Sequence, residues 1–309
     1  MAESVAENRQ RFADLVGDRV LTKPTRSPRD AYDLASLPLL VGWIFDLDKI
    51  DPAYGMTRAK LLRLAARMYD NTRKLQTGIS YKAHLAMAAK VLEMPPSVEG
   101  AIVECGCWCG GSTANLSLIA DLVGRELIVY DSFEGLPPHR EDDRNSTPGF
   151  EGVFGTEVEA VRRNVARHGK VDRVSFRKGW FADTLGDHTE PIVLAFVDVD
   201  YHASLEDCVI NLWPHLTAKG YLFIDEYALV DYCALFYSER FWTEHFDCPP
   251  PGMVGAGSGI GLGQYYTGPF NWTVDPRSVA YTRRNMYGQW DHGQEGADQR
   301  RRLRMLGKI

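Results

Sequence analysis

The 309-residue sequence has no apolar run long enough to span a membrane, and its first residues lack the apolar core of a signal peptide. It also lacks an excess of positive charge. Its net charge is -6, whereas a general nucleic-acid binder normally carries a basic surface. We therefore expect a cytoplasmic protein that has neither a membrane nor a nucleic acid as its partner.

Cysteine is scarce as well. Six cysteines are present, and three of them stand at alternate positions in Cys105-Gly106-Cys107-Trp108-Cys109, with no second pair at zinc-ligand spacing after them. We expect reduced structural thiols rather than a zinc site. Internal repeats and low-complexity tracts are also absent from the sequence.

Two short apolar runs lead directly into carboxylates. Residues 192 to 197 lead into Asp198-Val199-Asp200, and residues 220 to 224 lead into Asp225-Glu226. Apolar runs of this kind are typical of buried parallel strands, and ligands bind beyond the carboxyl ends of such strands. Four carboxylates that converge there would repel one another, so a divalent cation between them is the economical explanation. Asp200 or Asp225 alone could instead cap the following helix.

Strand and helix patterns alternate after residue 96, which predicts an α/β fold with a doubly wound parallel sheet. The predicted strands cover residues 101 to 104, 127 to 130, 174 to 177, 192 to 197 and 220 to 224. The polar stretch at residues 137 to 155 is long for a loop inside a compact domain. We therefore predict that it forms a lid over a ligand.

The first 95 residues predict a helical cap on the substrate side. Residues 57 to 75, with Thr57 as the cap, and residues 81 to 92 follow a helical period. Residues 1 to about 55 are irregular in pattern and contain four prolines. Pro95-Pro96 marks the boundary to a catalytic domain over residues 96 to 283, and residues 284 to 309 form a basic tail. Within the domain, Thr156 and Glu159 predict a capping box.

A glycine-rich segment joins the first predicted strand to the first helix of the sheet domain. Its spacing, G-x-x-x-G-G, differs from the G-x-G-x-x-G of dinucleotide binders, and no lysine follows to make a P-loop. Glycines at this place let the backbone lie close to a ligand beside a helix N-terminus. A pyrophosphate ligand is thus disfavoured.

Acidic and aromatic residues flank this loop. Asp131 ends the second strand, where an acid can accept from both hydroxyls of a ribose, and Glu104 suits a cationic ligand. S-Adenosylmethionine carries a ribose, a sulfonium and an ammonium, and it has no phosphate. After the third strand comes Gly179-Trp180-Phe181-Ala182-Asp183, where an aromatic ring could cover an adenine and Asp183 could accept from its amine. Core packing explains Trp180 and Phe181 equally well.

These motifs resemble the macrocin O-methyltransferase family over about residues 95 to 230. The run Asp131-Ser132-Phe133-Glu134-Gly135-Leu136-Pro137 is the most specific part of the resemblance. Members are metal-dependent enzymes that use S-adenosylmethionine to methylate sugar hydroxyls. The resemblance implies a Rossmann-like class I methyltransferase, with a seven-stranded, mostly parallel sheet, helices on both faces and a helical N-terminal cap. It also implies a small-molecule sugar or glycoside acceptor and a homo-oligomer.

Carried over by position, the resemblance implies a role for each motif residue. Mg²⁺ would be bound by Asp198, Asp225 and Glu226, and Asp200 would be the general base. Independently of the resemblance, His139 and His202 are alternative bases by residue type, although a lone histidine near a site is more often structural. The expected cofactor contacts are Glu104, Gly106, Trp108, Ser112, Asp131, Ser132, Gly179, Trp180, Phe181, Asp183 and Asp198. On the lid and acceptor side we expect Leu136, His139, Tyr201 and Tyr227.

The chain departs from the family pattern at three places. Asp225-Glu226 stands where two aspartates are usual, Tyr201-His202-Ala203-Ser204 replaces Leu-Tyr-Glu-Ser, and Cys109 replaces a basic residue. The acceptor is therefore open: an antibiotic deoxysugar or a mannose- or glucose-type polysaccharide precursor. Alternative functions are a glycosyltransferase with a metal-binding Asp-x-Asp, a catechol-type methyltransferase, and a methyltransferase-like binding protein without turnover.

Overall fold

The computed structural model describes residues 5–7, 10, 28–143, 145–226, 230–253 and 279–284. The helices of these residues are α1 (Pro28–Ile44), α2 (Arg58–Lys74), α3 (Tyr81–Leu92), α4 (Gly111–Val123), α5 (Val158–His168), α6 (Phe181–Thr184), α7 (His202–Leu212), α8 (Val230–Leu235) and α9 (Glu239–Phe246). The strands are β1 (Ala101–Cys105), β2 (Leu127–Asp131), β3 (Val174–Lys178), β4 (Ile192–Val197), β5 (Leu216–Ile224) and β6 (Ala280–Arg283).

The strands form one sheet in the order β3-β2-β1-β4-β5-β6. Strands β1 to β5 are mutually parallel, and β6 pairs antiparallel with β5. The strand order reverses between β1 and β4, and ligands bind at such a switch point in doubly wound folds. The predicted α/β fold is confirmed. The described residues contain six strands rather than the predicted seven; residues 254–278 lie outside them.

Every residue of β1 and β4 is buried, because helices cover both faces of the sheet. On one face the N-terminal helices belong to the same apolar cluster as the sheet, since Leu61 of α2 and Leu85 of α3 join Ile102 and Phe196. On the other face α7, α8 and α9 pack over the sheet. The N-terminal helices therefore form part of the layer that covers one face of the sheet.

Helix α1 corrects the prediction that the first 55 residues are irregular. Pro28 is its first residue, where a missing N–H breaks no helical hydrogen bond. Pro38 lies inside it, although it removes one such bond. Buried Leu37, Leu40 and Val41 follow a helical period and pack into the core, which outweighs the proline. Helices α2 and α3 confirm their predictions, and Thr57 caps α2 by accepting from the N–H of Lys60 at 3.3 Å.

The predicted capping box at Thr156 is wrong. Helix α5 begins two residues later, with Glu157 at the N-cap position and no side-chain capping bond. The hydroxyl of Thr156 instead lies 3.6 Å from the thiol of Cys109 in the glycine loop. A tertiary contact has replaced the local one that the sequence pattern predicts.

The lid segment, residues 137–155, is a series of turns rather than a structureless loop. Its two ends pair, because the N–H of Leu136 donates to the carbonyl of Val153 at 2.8 Å and the N–H of Gly152 donates back at 2.9 Å. Leu136, Val153 and Tyr201 form a small apolar cluster of their own. The segment is therefore anchored at its base.

Within the described part of the chain, no helix combines the length and the apolar character that crossing a bilayer requires. The basic tail was predicted over residues 284 to 309, and beyond residue 284 it lies outside the described residues.

Candidate active site

A cleft opens where the parallel strands end. Many of the predicted site residues line it: Gly106, Trp108, Ser112, Asp131, Ser132, Leu136, Trp180, Phe181, Asp198, Asp200 and Asp225. The structure thus brings the glycine loop, the acid that ends β2 and the acidic clusters after β4 and β5 to one place.

Asp131 ties the loops after β1 and β2 to each other. Its Oδ2 accepts from the backbone N–H of Cys107 at 2.7 Å, and its Oδ1 accepts from the N–H of Phe133 at 2.6 Å. Each carboxylate oxygen has a second lone pair. The side chain is held rigidly and can still accept hydrogen bonds from a ligand in the cleft.

Glu104, the penultimate residue of β1, is fully buried beside the cleft-lining Ser112 and Asp198. Neither carboxylate oxygen makes a hydrogen bond to the described residues. Burial raises the pKa of Glu104 to about 8, the nearby hydroxyls of Ser112 and Thr113 act in the opposite direction, and the charges of Asp198 and Asp131 raise it further. A cationic ligand beside this buried carboxyl group would stabilise its charged form.

Asp198, Asp225 and Glu226 each place a carboxylate oxygen within 4.8 Å of the other two. Asp225 and Glu226 are each 2% exposed, and Asp198 is half-buried. Oxygen ligands at this spacing fit a hard divalent cation such as Mg²⁺. The donor set predicted from the sequence is therefore assembled in a form that can hold the ion.

Asp200 lies on a sharp turn at the edge of the cleft. Its φ is +59°, which is unusual for a residue with a Cβ. The N–H of Tyr201 donates to the carbonyl of Val199 at 2.6 Å, closing a three-residue γ-turn around Asp200. The buried Tyr232 hydroxyl donates to the carbonyl of Tyr201 at 3.2 Å. Burial, together with the charges of Glu226 and Asp200, raises the pKa of Tyr232 well above its usual value, so it stays a donor.

Two predicted alternative bases lie elsewhere. His139 Nδ1 is 2.5 Å from the hydroxyl of Ser146 within the lid segment. His202 Nδ1 is 3.8 Å from a carboxylate oxygen of Glu206, and His202 lines a second groove together with Asp143 of the lid segment. Neither histidine is among the residues that line the cleft.

Other predicted residues support the cleft rather than line it. The N–H of Gly179 donates to the carbonyl of Asp131 at 3.0 Å, and Tyr201 packs in the apolar cluster beneath the lid segment. Asp183 is exposed on α6. Tyr227 lies outside the described residues, so its predicted role stays a prediction.

The residues that line the cleft without having been predicted from the sequence include two groups from segments distant in the chain. Gln76, Thr77 and Gly78 reach the cleft from the loop between α2 and α3. Phe154 lines it from the lid segment, where its ring packs edge-to-face on Trp108 at 5.2 Å. Gly78, shortly before the cap of α3, marks a loop. No local signal tells which edge of the sheet that loop reaches.

Comparison with known proteins identifies the family to which the chain belongs. The family model described as Macrocin-O-methyltransferase (TylF) matches residues 82–246, more than half of the chain. The match includes the four aspartates that line the cleft, Asp131, Asp198, Asp200 and Asp225. The chain belongs to the macrocin O-methyltransferase family. It is accordingly an S-adenosylmethionine-dependent O-methyltransferase, which removes the support for the glycosyltransferase alternative.

Characterised relatives and one solved structure agree with this assignment. The chain is 33% identical over 181 residues to the 8-demethyl-8-(2,3-dimethoxy-alpha-L-rhamnosyl)-tetracenomycin-C 4'-O-methyltransferase of Streptomyces olivaceus, covering 55% of this chain and 69% of that protein. It is 29% identical over 232 residues to the demethyldecarbamoylnovobiocin O-methyltransferase of Streptomyces niveus, covering 68% and 85%. The structure of the O-methyltransferase NovP superposes with a TM-score of 0.54 at 25% identity, covering 83% of this chain and 99% of that one.

Proposed function

We propose that the protein transfers the methyl group of S-adenosylmethionine to a sugar hydroxyl of a glycoside or oligosaccharide, with Mg²⁺ bound by Asp198, Asp225 and Glu226. The observation that carries the proposal is the cluster of three carboxylates within 4.8 Å of one another beside the Asp200 turn. The name of the Streptomyces olivaceus relative, which specifies a rhamnosyl tetracenomycin, supports a sugar as the acceptor.

The cofactor would lie along the glycine loop. S-Adenosylmethionine supplies an electrophilic methyl group on a positively charged sulfur. Asp131, already oriented by Cys107 and Phe133, would accept from the ribose hydroxyls. Glu104 would compensate the positive charge of the cofactor from beneath the loop, and Trp180 and Phe181 would cover the adenine. These contacts position the methyl group without any phosphate-binding element.

The acceptor side needs a base, because the pKa of a sugar hydroxyl lies far above neutrality. A divalent cation held by the three carboxylates supplies positive charge that favours the deprotonated oxygen. Asp200 would accept the hydroxyl proton as the oxygen–carbon bond forms and the carbon–sulfur bond breaks, with its electron pair remaining on sulfur. The strained turn presents this carboxylate at the cleft, while His139 and His202 lie away from it.

The lid segment would exclude water from this reaction. Leu136, Pro137 and Phe154 already form part of the wall of the cleft. Excluding water strengthens each electrostatic interaction inside and prevents loss of the methyl group to solvent. Tyr201 would contribute indirectly, by packing under Leu136.

The test is a methyl-transfer assay over a panel of glycosides, oligosaccharides and catechols, with Mg²⁺ and then with EDTA. Wild-type protein should turn over a glycoside only with the metal. Asp200→Asn should bind S-adenosylmethionine and Mn²⁺ normally but lose about 10²- to 10⁴-fold in rate, as expected for a lost general base. Glu226→Gln should lose Mn²⁺ affinity, measured by electron paramagnetic resonance. Full activity in EDTA, or turnover of catechols alone, would contradict the proposal.

A further inference from the structure

Two hydrogen bonds join the lid segment to the residues that follow Asp200, one at a backbone N–H and one at a side-chain hydroxyl. Oδ2 of Asp143 accepts from the N–H of Ala203 at 2.9 Å. The hydroxyl of Tyr201 accepts from the N–H of Thr147 at 3.4 Å. Both hydrogen bonds connect the lid segment to residues within three positions of Asp200, the proposed base. In the chain, the bonded residues are more than 50 positions apart.

Asp143 is held in place for this contact by its own loop. It is 6% exposed, its Oδ1 accepts from the N–H of Asn145 at 3.0 Å, and its own N–H donates to the carbonyl of Arg140 at 3.2 Å. The neighbouring Asp142 differs, because it is exposed and paired with Arg140. The orientation of the Asp143 carboxylate towards α7 is therefore built into the turn.

Helix α7 starts directly after the Asp200 turn and lacks a cap of its own. Tyr201 occupies the N-cap position without donating or accepting a side-chain capping bond to the helix. The first turn of a helix has backbone N–H groups with no partner inside the helix, and its positive end favours an anion. Asp143 meets both requirements from the lid segment and caps α7 in place of a local residue.

The Asp200 turn needs such support from outside. A residue with a Cβ at a φ of +59° persists only where its surroundings determine its conformation. Within the described residues, Tyr232 holds the carbonyl of Tyr201 from the core side. Asp143 and Thr147 hold the same stretch from the lid side. The restraints from the lid side exist only while the lid segment has its observed conformation.

We propose that Asp143 is a positioning residue for the base: by capping α7 from the lid segment, it sets the orientation of the Asp200 turn. The conformation of the lid segment that covers the cleft then also orients Asp200. The inference rests on the proposed function, because it takes Asp200 as the base. A purely structural cap would change stability alone, whereas a positioning residue changes the rate of the bound complex.

The kinetic test compares Asp143→Ala and Asp143→Asn with the matched control Asp142→Asn. Asp143→Ala should lower kcat by about tenfold or more, because the free energy of a lost helix cap corresponds to a rate factor of about that size. The acceptor KM and the S-adenosylmethionine Kd should be nearly unchanged. Asp143→Asn should be intermediate, because its amide oxygen still accepts from Ala203, and Asp142→Asn should match wild type. A folded Asp143→Ala protein with wild-type kcat would overturn the inference.

A second experiment tests the inference without measuring catalytic activity. Amide hydrogen exchange of residues 198–206 would be measured with S-adenosylmethionine bound, with residues 111–123 as the internal reference. Asp143→Ala should speed exchange at 198–206 by about tenfold while the reference is unchanged. Unchanged exchange there, with normal wild-type turnover, overturns this inference alone. Absence of wild-type turnover overturns the proposed function, and the exchange result then still decides whether the lid segment sets the turn.

Discussion

The backbone of Gly106 lies against the carbonyl group of Asp198, so that a Cβ built on the glycine would be 1.9 Å from that oxygen. Gly106 also has a φ of +85°, a conformation that glycine adopts without steric strain. The N–H of Asp198 donates to the carbonyl of Cys105 at 2.9 Å. The glycine loop and the first proposed metal ligand are therefore positioned by one backbone contact.

Gly106→Ala should disrupt this contact. The methyl group would force the end of β4 away from the loop, so we expect S-adenosylmethionine affinity to fall by more than about tenfold and the free energy of unfolding to drop. Gly124→Ala is the matched control. Gly124 has a φ of +70°, and its Cβ would meet nothing within 4 Å. That variant should lose only about 1–2 kcal/mol for the left-handed conformation and keep its cofactor affinity. Calorimetry and urea unfolding measure both, and equal effects would contradict the close-approach argument.

Glu104 should make cofactor binding release protons. Its pKa of about 8 means that the carboxyl is mostly protonated in the free enzyme at pH 7. A cationic ligand favours the charged form, so binding should expel close to one proton at pH 7 and progressively less as the pH rises through 8. Calorimetric titrations of S-adenosylmethionine in buffers of different ionisation enthalpy measure this number directly.

Two variants test the assignment of that proton. Glu104→Gln should bind more weakly and release no proton at pH 7, whereas Glu134→Gln, at an exposed position near the cleft, should behave as wild type. Release of a full proton by the Glu104→Gln protein would place the titrating group elsewhere in the site.

Phe154 should contribute to cofactor affinity through Trp108. Their rings pack edge-to-face at 5.2 Å and both line the cleft. Such a pair contributes about 1 kcal/mol beyond area burial, so Phe154→Ala should raise the S-adenosylmethionine Kd about fivefold or more. Phe150, also in the lid segment, packs against the cluster of Leu136, Val153 and Tyr201 without lining the cleft, and it provides the control Phe150→Ala. Similar Kd values for the two variants would assign the effect to loosening of the lid segment as a whole.

The strand ends were predictable from the sequence because their signals are local. Continuous apolar runs marked β1, β2 and β4 to within a residue or two, and the rule that parallel strands share one ligand-binding edge brought Asp131, Asp198 and Asp225 together. Each inference needed only the chain order of short segments. The cluster of Asp198, Asp225 and Glu226 follows from the same rule, since these acids come directly after two adjacent strands.

The contacts that the sequence did not predict are non-local. Thr156 turned from a predicted cap into a neighbour of Cys109, and Gln76 reached the cleft because α2 and α3 pack on the sheet. His202 is the first residue of α7, and the rotation of that helix directs it to the second groove. Asp143 of the lid segment accepts a hydrogen bond from the N–H of Ala203, which lies 60 residues further along the chain.

A buried polar chain connects the N-terminal helices to the helix after the glycine loop. His84 of α3 is fully buried, and Asn115 of α4 donates to its Nδ1 at 3.0 Å, which makes Nδ1 the acceptor nitrogen. Asn71 of α2 in turn donates to Oδ1 of Asn115 at 2.9 Å. Burial lowers the pKa of His84 to about 3. The ring is therefore neutral in the folded protein over the whole range in which an unfolded histidine takes up its proton.

This depression of the pKa should make the protein less stable in acid. The unfolded chain binds a proton at His84 below pH 6.5, whereas the folded chain stays neutral down to about pH 3, so the stabilisation is complete above pH 6.5 and is lost as the pH falls towards 3. The loss should approach about 1.4 kcal/mol per pH unit. Urea unfolding at several pH values measures the free energy of unfolding as a function of pH. For His84→Gln the slope of that curve should be shallower by an amount equivalent to the uptake of up to one proton on unfolding. His245→Gln, at an exposed site, should keep the wild-type slope. Parallel curves for wild type and His84→Gln would assign the acid sensitivity to other groups.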